Sequence, residues 1–134
     1  MTDTLVQDPI ATYVAGHEFK MLIGGRFVDA ADGAVAEVRD PSTGAQLTTV
    51  PSAGAADVER AVAAAKAAQP AWEALGVAGR AACFARFDAL LAEHRERLAM
   101  LDAIDCGNPV RAMRIDVDLC HDYVRGWPSL AAAM

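Results

Sequence analysis

The chain has 134 residues, the size of one domain or of part of one. Its 12 lysines and arginines against 18 aspartates and glutamates give a formal charge of −6. An acidic chain without a basic stripe can neutralise few phosphates, so nucleic-acid binding is not expected.

Residues 1–20 lack apolar periodicity, which predicts a flexible N-terminal arm. The chain shows neither a basic and apolar leader nor a run of about 18 apolar residues, so neither a signal peptide nor a membrane span is predicted. The 3 cysteines lack the short spacings of a disulfide framework or a zinc site. Reduced thiols in a cytoplasmic protein are the simplest interpretation.

Short strands separated by turn residues follow the arm. Two apolar pairs, Leu22-Ile23 and Phe27-Val28, flank Gly24-Gly25 and predict a hairpin. Two further strands, at 34–39 and 46–50, flank the turn-forming segment Asp40-Pro41-Ser42-Thr43-Gly44. The pattern predicts a small antiparallel meander.

From residue 55 the apolar period becomes helical. The first predicted helix covers 55–75, with a break near Gln69 because Pro70 lacks an N–H group. After a glycine-containing spacer at 76–79, a second helix begins near Arg80 and ends at Gly107. A third helix runs from Pro109 to Trp127, where Pro128 is expected to stop it. A strand meander followed by three to four helices is an α+β-like arrangement, or the edge of a larger α/β domain.

Four segments, in this order and spacing, resemble the start of the aldehyde dehydrogenase superfamily. They are Ile23 to Val28, Asp40-Pro41-Ser42-Thr43-Gly44, the alanine-rich helix ending at Trp72, and Asp105-Cys106-Gly107-Asn108-Pro109 followed by Tyr123 to Trp127. The resemblance implies an α/β parent fold, with residues 21–134 as the incomplete N-terminal part of a cofactor-binding domain.

The same resemblance implies oxidation of a small-molecule aldehyde to a carboxylic acid, with hydride transfer to NAD or NADP. In the family a cysteine nucleophile, a glutamate base and the cofactor-binding loop all follow the segment present here. The chain alone is therefore expected to be inactive and to bind no cofactor, with no catalytic residue assigned. The full-length enzyme is expected to be a homo-oligomer in the cytoplasm.

One metal site is implied by the resemblance. Many family members hold a monovalent cation with backbone carbonyls that correspond to Val38 and Arg39, together with the aspartate that corresponds to Asp105. Oxygen ligands suit a hard cation. The alternative is that Asp105 only stabilises the helix junction, and a further ligand would lie beyond residue 134.

Other polar groups have structural interpretations. Cys83 and Cys120 lie on or beside apolar stripes, which favours core packing, whereas Cys106 precedes a helix-ending glycine. Asp118, His121 and Asp122 share one helix face, which could indicate a triad or a metal site but favours a solvated polar face. By resemblance, Asp116 lies near the part of the last helix that borders the family's substrate tunnel, although a surface position is favoured slightly.

Two functions from other classes stay open on the sequence alone. A truncated chain with exposed apolar stripes could be an interaction module that associates with itself or with a full-length relative. A small independent metal or redox protein is the other alternative, disfavoured because no paired Cys/His spacing is present.

Overall fold

The computed structural model describes residues 9–133. Its elements in chain order are α1 (Pro9–Gly16), β1 (Met21–Ile23), β2 (Arg26–Val28), β3 (Val35–Arg39), β4 (Gln46–Pro51), α2 (Ala55–Ala74), α3 (Gly76–Cys106) and α4 (Val110–Ala133). The predicted class, short antiparallel strands followed by helices, is confirmed.

Strands β1 and β2 form the predicted hairpin, with Met21 opposite Val28 and Ile23 opposite Arg26. The turn residues Gly24 and Gly25 both have positive φ, at 58° and 76°. Two consecutive positive φ values match a twisted two-residue hairpin turn, and glycine adopts them without a steric cost.

Strands β3 and β4 form a second antiparallel pair, in which Val35 lies opposite Pro51. The register shifts between Val38 and Arg39, so the strand is irregular just before the loop at 40–44. Within residues 9–133 the four strands make two separate two-stranded sheets, and the backbone of β2 does not pair with that of β3.

Helix α2 corrects one prediction, because it continues through Pro70 to Ala74. A proline removes one backbone hydrogen bond, but the neighbouring turns continue the helix here. The side chains on either side of Pro70 also bridge it, since Gln69 Nε2 donates to Glu73 Oε1 at 2.9 Å. The expected break near Gln69 was therefore wrong.

The connection between α2 and α3 is shorter than the predicted spacer at 76–79. Leu75 alone separates the two helices, and Gly76 has a φ of 63°. One residue in the left-handed region redirects the chain, so α3 begins at Gly76 rather than near Arg80. The predicted end is confirmed, because Gly107 caps α3 with a φ of 76° and its N–H donates to the carbonyl of Ala103.

Helices α3 and α4 pack against each other and carry the main core. Ala99, Met113 and Val117 are buried together, and Leu98, Ala103 and Ala112 pack around them. Helix α4 extends to Ala133, so the expected stop at Pro128 was wrong. As in α2, a helix with established turns on both sides accommodates one proline.

Residues 9–16 form a helix instead of the flexible arm predicted for 1–20, and residues 1–8 lie outside the described part. Ile10 and Val14 are buried. Tyr13 attaches α1 to α3, since Arg97 Nη2 donates to its hydroxyl oxygen at 3.1 Å and the guanidinium lies 4.5 Å from the ring centroid. The prediction of a flexible arm missed these contacts because their partner is 84 residues away.

Many large apolar side chains of the described residues are exposed. On α4 they form a stripe of Ile115, Leu119, Tyr123, Trp127 and Leu130, and elsewhere they include Leu22, Phe27, Val58, Val62 and Trp72. None of the helices within residues 9–133 is long and apolar enough to cross a membrane.

Candidate functional site

Two of the three predicted cation ligands lie at one cavity. It has a volume of about 400 Å³ and lies between α1, the β3–β4 hairpin and α3. Val38 lines it from β3 and Asp105 from the last turn of α3. We call it the α1–β4–α3 cavity. The structure thus brings together two distant segments that the sequence linked only through a family pattern.

Arg39, the third predicted ligand residue, is exposed and is not among the residues that line this cavity. Its guanidinium forms an ion pair with Glu37, and Nη1 donates to the Gly44 carbonyl at 3.2 Å. The side chain therefore holds the strand against the following loop. The predicted cation ligand is the backbone carbonyl of Arg39 and not this side chain.

The loop at 40–44 is held by Asp40. Its carboxylate accepts hydrogen bonds from the Ser42 N–H at 2.8 Å and from the Thr43 hydroxyl at 2.8 Å. These bonds hold the pKa of Asp40 below its usual value. The carbonyl of Asp40 also accepts from the Gly44 N–H at 2.7 Å, and Gly44 has a φ of 74°.

The segment that ends α3, at residues 105–109, lies against the loop at 40–44. A Cβ placed on Gly107 would lie 2.8 Å from Pro41 Cγ and 3.7 Å from Ser42 Oγ. The end of α3 therefore lies directly against the loop that follows β3. This contact sets the position of Asp105 relative to the β3–β4 hairpin.

A bare metal ion would need backbone oxygens at this site. Within the described residues, no group of three or more His, Cys, Asp or Glu side chains is placed to hold a metal. A hard cation takes several oxygen ligands, so Asp105 would have to be joined by the carbonyls of Val38 and Arg39. The monovalent-cation site stays a prediction.

The cysteines do not occupy the positions expected of them. Cys83 and Cys120 were predicted to pack in the core, but both are exposed, as is Cys106. The α3–α4 contact uses Met113 and Val117 instead, because a stripe that repeats every three to four residues has edges that face solvent. Cys106 Sγ lies 3.6 Å from Met113 Sδ.

Asp118 and His121 connect α4 to α3. Arg95 binds the carboxylate of Asp118 through Nε at 2.5 Å and Nη2 at 2.6 Å. His121 Nδ1 lies 2.5 Å from Asp88 Oδ1, out of hydrogen-bonding alignment, and is largely shielded from solvent. Asp118 thus pairs with Arg95 and His121 with Asp88, and both pairs join α4 to α3.

The predicted solvated polar face holds for Asp118 and Asp122, which are both exposed, but was wrong for His121, whose side chain is 13% exposed. Sequence periodicity identified the face correctly and missed that α3 supplies opposite charges to it. Arg125 adds a further pair, with Nε donating to Asp88 Oδ2 at 2.9 Å. Arg125 is the first cause of the lowered pKa of Asp88, and Arg95 is the first cause of that of Asp118.

Asp57 is a buried residue whose importance the sequence did not indicate. Its side chain is 2% exposed. It accepts from the backbone N–H groups of Ala31 at 3.1 Å and Gly54 at 3.0 Å, and it pairs with Arg60. The bond with Arg60 is the first cause of its lowered pKa. The sequence interpretation recognised only a favourable acid in the first turn of α2.

Asp116, for which a surface position was slightly favoured, is exposed on α4. It follows Ile115, the first member of the exposed apolar stripe on that helix, whose exposed fraction is 65%. The described residues therefore place Asp116 at the surface of this chain, beside a row of apolar side chains that ends near Leu130.

Comparison with known proteins identifies the fold. The sequence model of the aldehyde dehydrogenase family matches residues 27–134. An NAD-dependent aldehyde dehydrogenase from Sinorhizobium meliloti is 30% identical, with a TM-score of 0.86 over 96% of this chain and 26% of that one. PnpE in complex with nicotinamide adenine dinucleotide is 38% identical, with a TM-score of 0.84 over 88% of this chain and 24% of that one.

An NAD⁺ complex of an aldehyde dehydrogenase from Bacillus cereus is 33% identical, with a TM-score of 0.84 over 91% of this chain and 26% of that one. The chain spans about a quarter of the length of these relatives. Because the family match covers most of the sequence, the chain belongs to the aldehyde dehydrogenase family.

Proposed function

We propose that this chain supplies one structural part of an NAD(P)-dependent aldehyde dehydrogenase, which oxidises an aldehyde to a carboxylic acid. The observation that carries the proposal is the superposition of 96% of the chain on 26% of a NAD-dependent relative with a TM-score of 0.86. A chain that superposes closely along nearly its whole length on only about a quarter of an enzyme has the structure of one segment of such an enzyme.

The chain's own residues support a scaffolding role. Its buried and paired polar groups hold elements together: Asp57 joins α2 to the segment before β3, and Asp118 and Asp88 join α4 to α3. The thiols of Cys83, Cys106 and Cys120 are exposed at the surface of the chain. We therefore propose that the chain by itself does not oxidise aldehydes.

The cofactor of the whole enzyme is proposed to be NAD or NADP. Two relatives are named as complexes with NAD, and another is named as an NADP-dependent enzyme from E. coli. We propose further that the whole enzyme is a cytoplasmic homo-oligomer. The exposed free cysteines suit a reducing compartment, and the exposed apolar stripe on α4 suits burial against further protein.

The test is an assay of the purified chain with NAD and with NADP against a panel of aliphatic and aromatic aldehydes. Formation of NADH or NADPH is followed by absorbance, with a full-length aldehyde dehydrogenase as the positive control. Rates equal to those of the heat-denatured chain are expected. An aldehyde-dependent rate above that background, saturable in cofactor, would show that this chain is a complete catalyst.

A further inference from the structure

The last helix, α4, has two apolar faces, and the described residues cover only one of them. Met113, Val117 and Val124 are buried on the face that contacts α3. The other face carries five side chains that are 47–65% exposed, and we call them the α4 stripe: Ile115, Leu119, Tyr123, Trp127 and Leu130. A helix that is apolar on two sides is typical of one that packs on both sides.

The α4 stripe is continuous, because its members follow one another at intervals of three or four residues and so lie on one side of the helix. With a rise of about 1.5 Å per residue, the stripe is about 22 Å long. Gly126 lies in it between Tyr123 and Leu130, and a Cβ there would meet no heavy atom within 4 Å. Another helix can therefore approach the backbone of α4 closely at this glycine.

The exposed area of the α4 stripe is large enough for a specific interface. A large side chain has about 200 Å² of surface, so the exposed fractions leave roughly 600 Å² of the stripe open on each chain. Two copies that cover each other's stripe would bury about 1,200 Å² from these side chains alone, which is the lower end of the range for stable protein–protein interfaces. Tyr123 and Trp127 are also of the residue types that contribute most to binding in such interfaces.

The two halves of the α4 stripe differ in shape. The N-terminal half has the aliphatic side chains of Ile115 and Leu119, whereas the C-terminal half has the rings of Tyr123 and Trp127, whose centroids are 6.2 Å apart. A cavity of about 140 Å³ beside Trp127 and Pro128 gives room for one aliphatic side chain from another molecule. When two such helices pack in opposite directions, the aliphatic half of each faces the aromatic half of the other. The stripe therefore complements a second copy of itself.

We propose that two copies of this chain form a dimer through their α4 stripes, with the two α4 helices antiparallel and related by a two-fold axis near Tyr123. Both chains use the same surface, so the contact closes after two copies and does not extend into a filament. The proposal goes beyond the proposed function, because it concerns the chain by itself and includes no step of aldehyde oxidation.

Sedimentation velocity of the purified chain tests the proposal, over concentrations from about 1 to 200 μM that bracket the affinity of a small interface. A shift from monomer to dimer is expected as the concentration rises, with a dissociation constant on the order of 10 μM. The dimer should be the largest species at the highest concentration, because the two-fold contact leaves no second stripe open.

Leu119→Glu and Val62→Glu are a matched pair of variants, because both residues are apolar, 47% exposed and on a helix. Leu119→Glu is expected to weaken dimerisation at least about tenfold, since it places a charge in the apolar contact. Val62→Glu, on α2, changes the net charge equally and is expected to leave the dissociation constant unchanged. Circular dichroism checks that both variants keep the helical content of the parent.

Cross-linking of the native cysteines tests the location without a change in the stripe. All 3 thiols are exposed, but only Cys120 lies on α4, next to Leu119. A two-fold axis near Tyr123 places the two Cys120 residues about 9 Å apart along the helices, within reach of a flexible bis-maleimide. Cys120→Ser is expected to abolish the linked dimer, whereas Cys83→Ser and Cys106→Ser should retain it.

Four results would overturn the proposal: a monomer at every concentration, assemblies that keep growing beyond the dimer, equal weakening by the two glutamate variants, or cross-linked dimers that survive Cys120→Ser. A monomer throughout would assign the α4 stripe to contact with a different polypeptide. Equal weakening by the two glutamate variants would show that added charge, and not the position on α4, controls association.

Discussion

Gly107 ends α3 directly against the ring of Pro41, and a Cβ at position 107 would lie 2.8 Å from Pro41 Cγ. Glycine is required at position 107 for two reasons: the backbone has a φ of 76°, and a Cβ would be too close to the Pro41 ring. The contact joins the strand half of the chain to the helical half, next to Asp105.

The substitution Gly107→Ala is expected to lower the free energy of unfolding by about 2–4 kcal/mol. About 1–2 kcal/mol comes from a side chain at positive φ, and the rest from overpacking against Pro41. Urea unfolding followed by circular dichroism measures the loss. Gly33→Ala is the matched control, because Gly33 has a φ of 73° and open space where its Cβ would lie. Equal losses in the two variants would contradict the role of the Pro41 contact.

Asp57 gives a prediction for acid stability. Its pKa is lowered in the folded chain, so its stabilising contribution is fully present above the unfolded pKa of about 4 and is lost as the pH falls through the folded pKa. Asp57→Asn is therefore expected to lower the melting temperature by several degrees near neutral pH and by progressively less below about pH 4.

The control for Asp57 is Asp122→Asn, which removes an exposed carboxylate of α4. Thermal unfolding from pH 7 to pH 3 is followed for both variants and the parent. The Asp122 variant is expected to track the parent at every pH. A constant difference between the Asp57 variant and the parent across that range would show that the ionised carboxylate is not what stabilises the fold.

The cysteines give a prediction about accessibility. Since Cys83, Cys106 and Cys120 are exposed, all 3 thiols of the native chain are expected to react with an aromatic disulfide reagent without prior unfolding. Reaction in buffer and in denaturant should reach the same thiol count. If Cys120 reacted only in denaturant, the core position predicted from the apolar seam would be correct after all.

Pro70 gives a prediction of stabilisation. It lies on an exposed turn inside α2, where its ring removes a backbone hydrogen bond. Pro70→Ala is expected to raise the free energy of unfolding by about 1–3 kcal/mol, because alanine restores the bond and is the better helix former. Ala71→Gly, one position later, should instead destabilise by about 1 kcal/mol. A loss of stability in Pro70→Ala would mean that the proline is required for packing of α2.

Local chemistry accounts for most of what the sequence predicted. The hairpin at Gly24-Gly25, the loop at 40–44 and the cap at Gly107 depend on residues that determine the backbone within a few positions. These features were confirmed for that reason. The two errors at Pro70 and Pro128 have the opposite origin, because a helix supported on both sides tolerates what an isolated helix would not.

The remaining features depend on contacts between distant segments, which periodicity does not encode. Asp57 is placed by an N–H group 26 positions earlier in the chain, and Asp118 by an arginine 23 positions earlier. The α1–β4–α3 cavity needs residues from Val14 to Asp105. The family resemblance pointed to Val38, Arg39 and Asp105, of which Val38 and Asp105 line this cavity, but its apolar walls became visible only in three dimensions.

The attachment of Tyr13 to Arg97 spans 84 positions of the chain and has a consequence for biosynthesis. At about 5–20 residues per second, a ribosome makes the partner of α1 roughly 4–17 s after α1 itself. Helix α1 can therefore dock on α3 only after this interval, and α4 is made later still. During this interval α1, with the apolar side chains of Ile10 and Val14, lacks the part of its native contacts that α3 supplies, and it is a natural point of contact for chaperones.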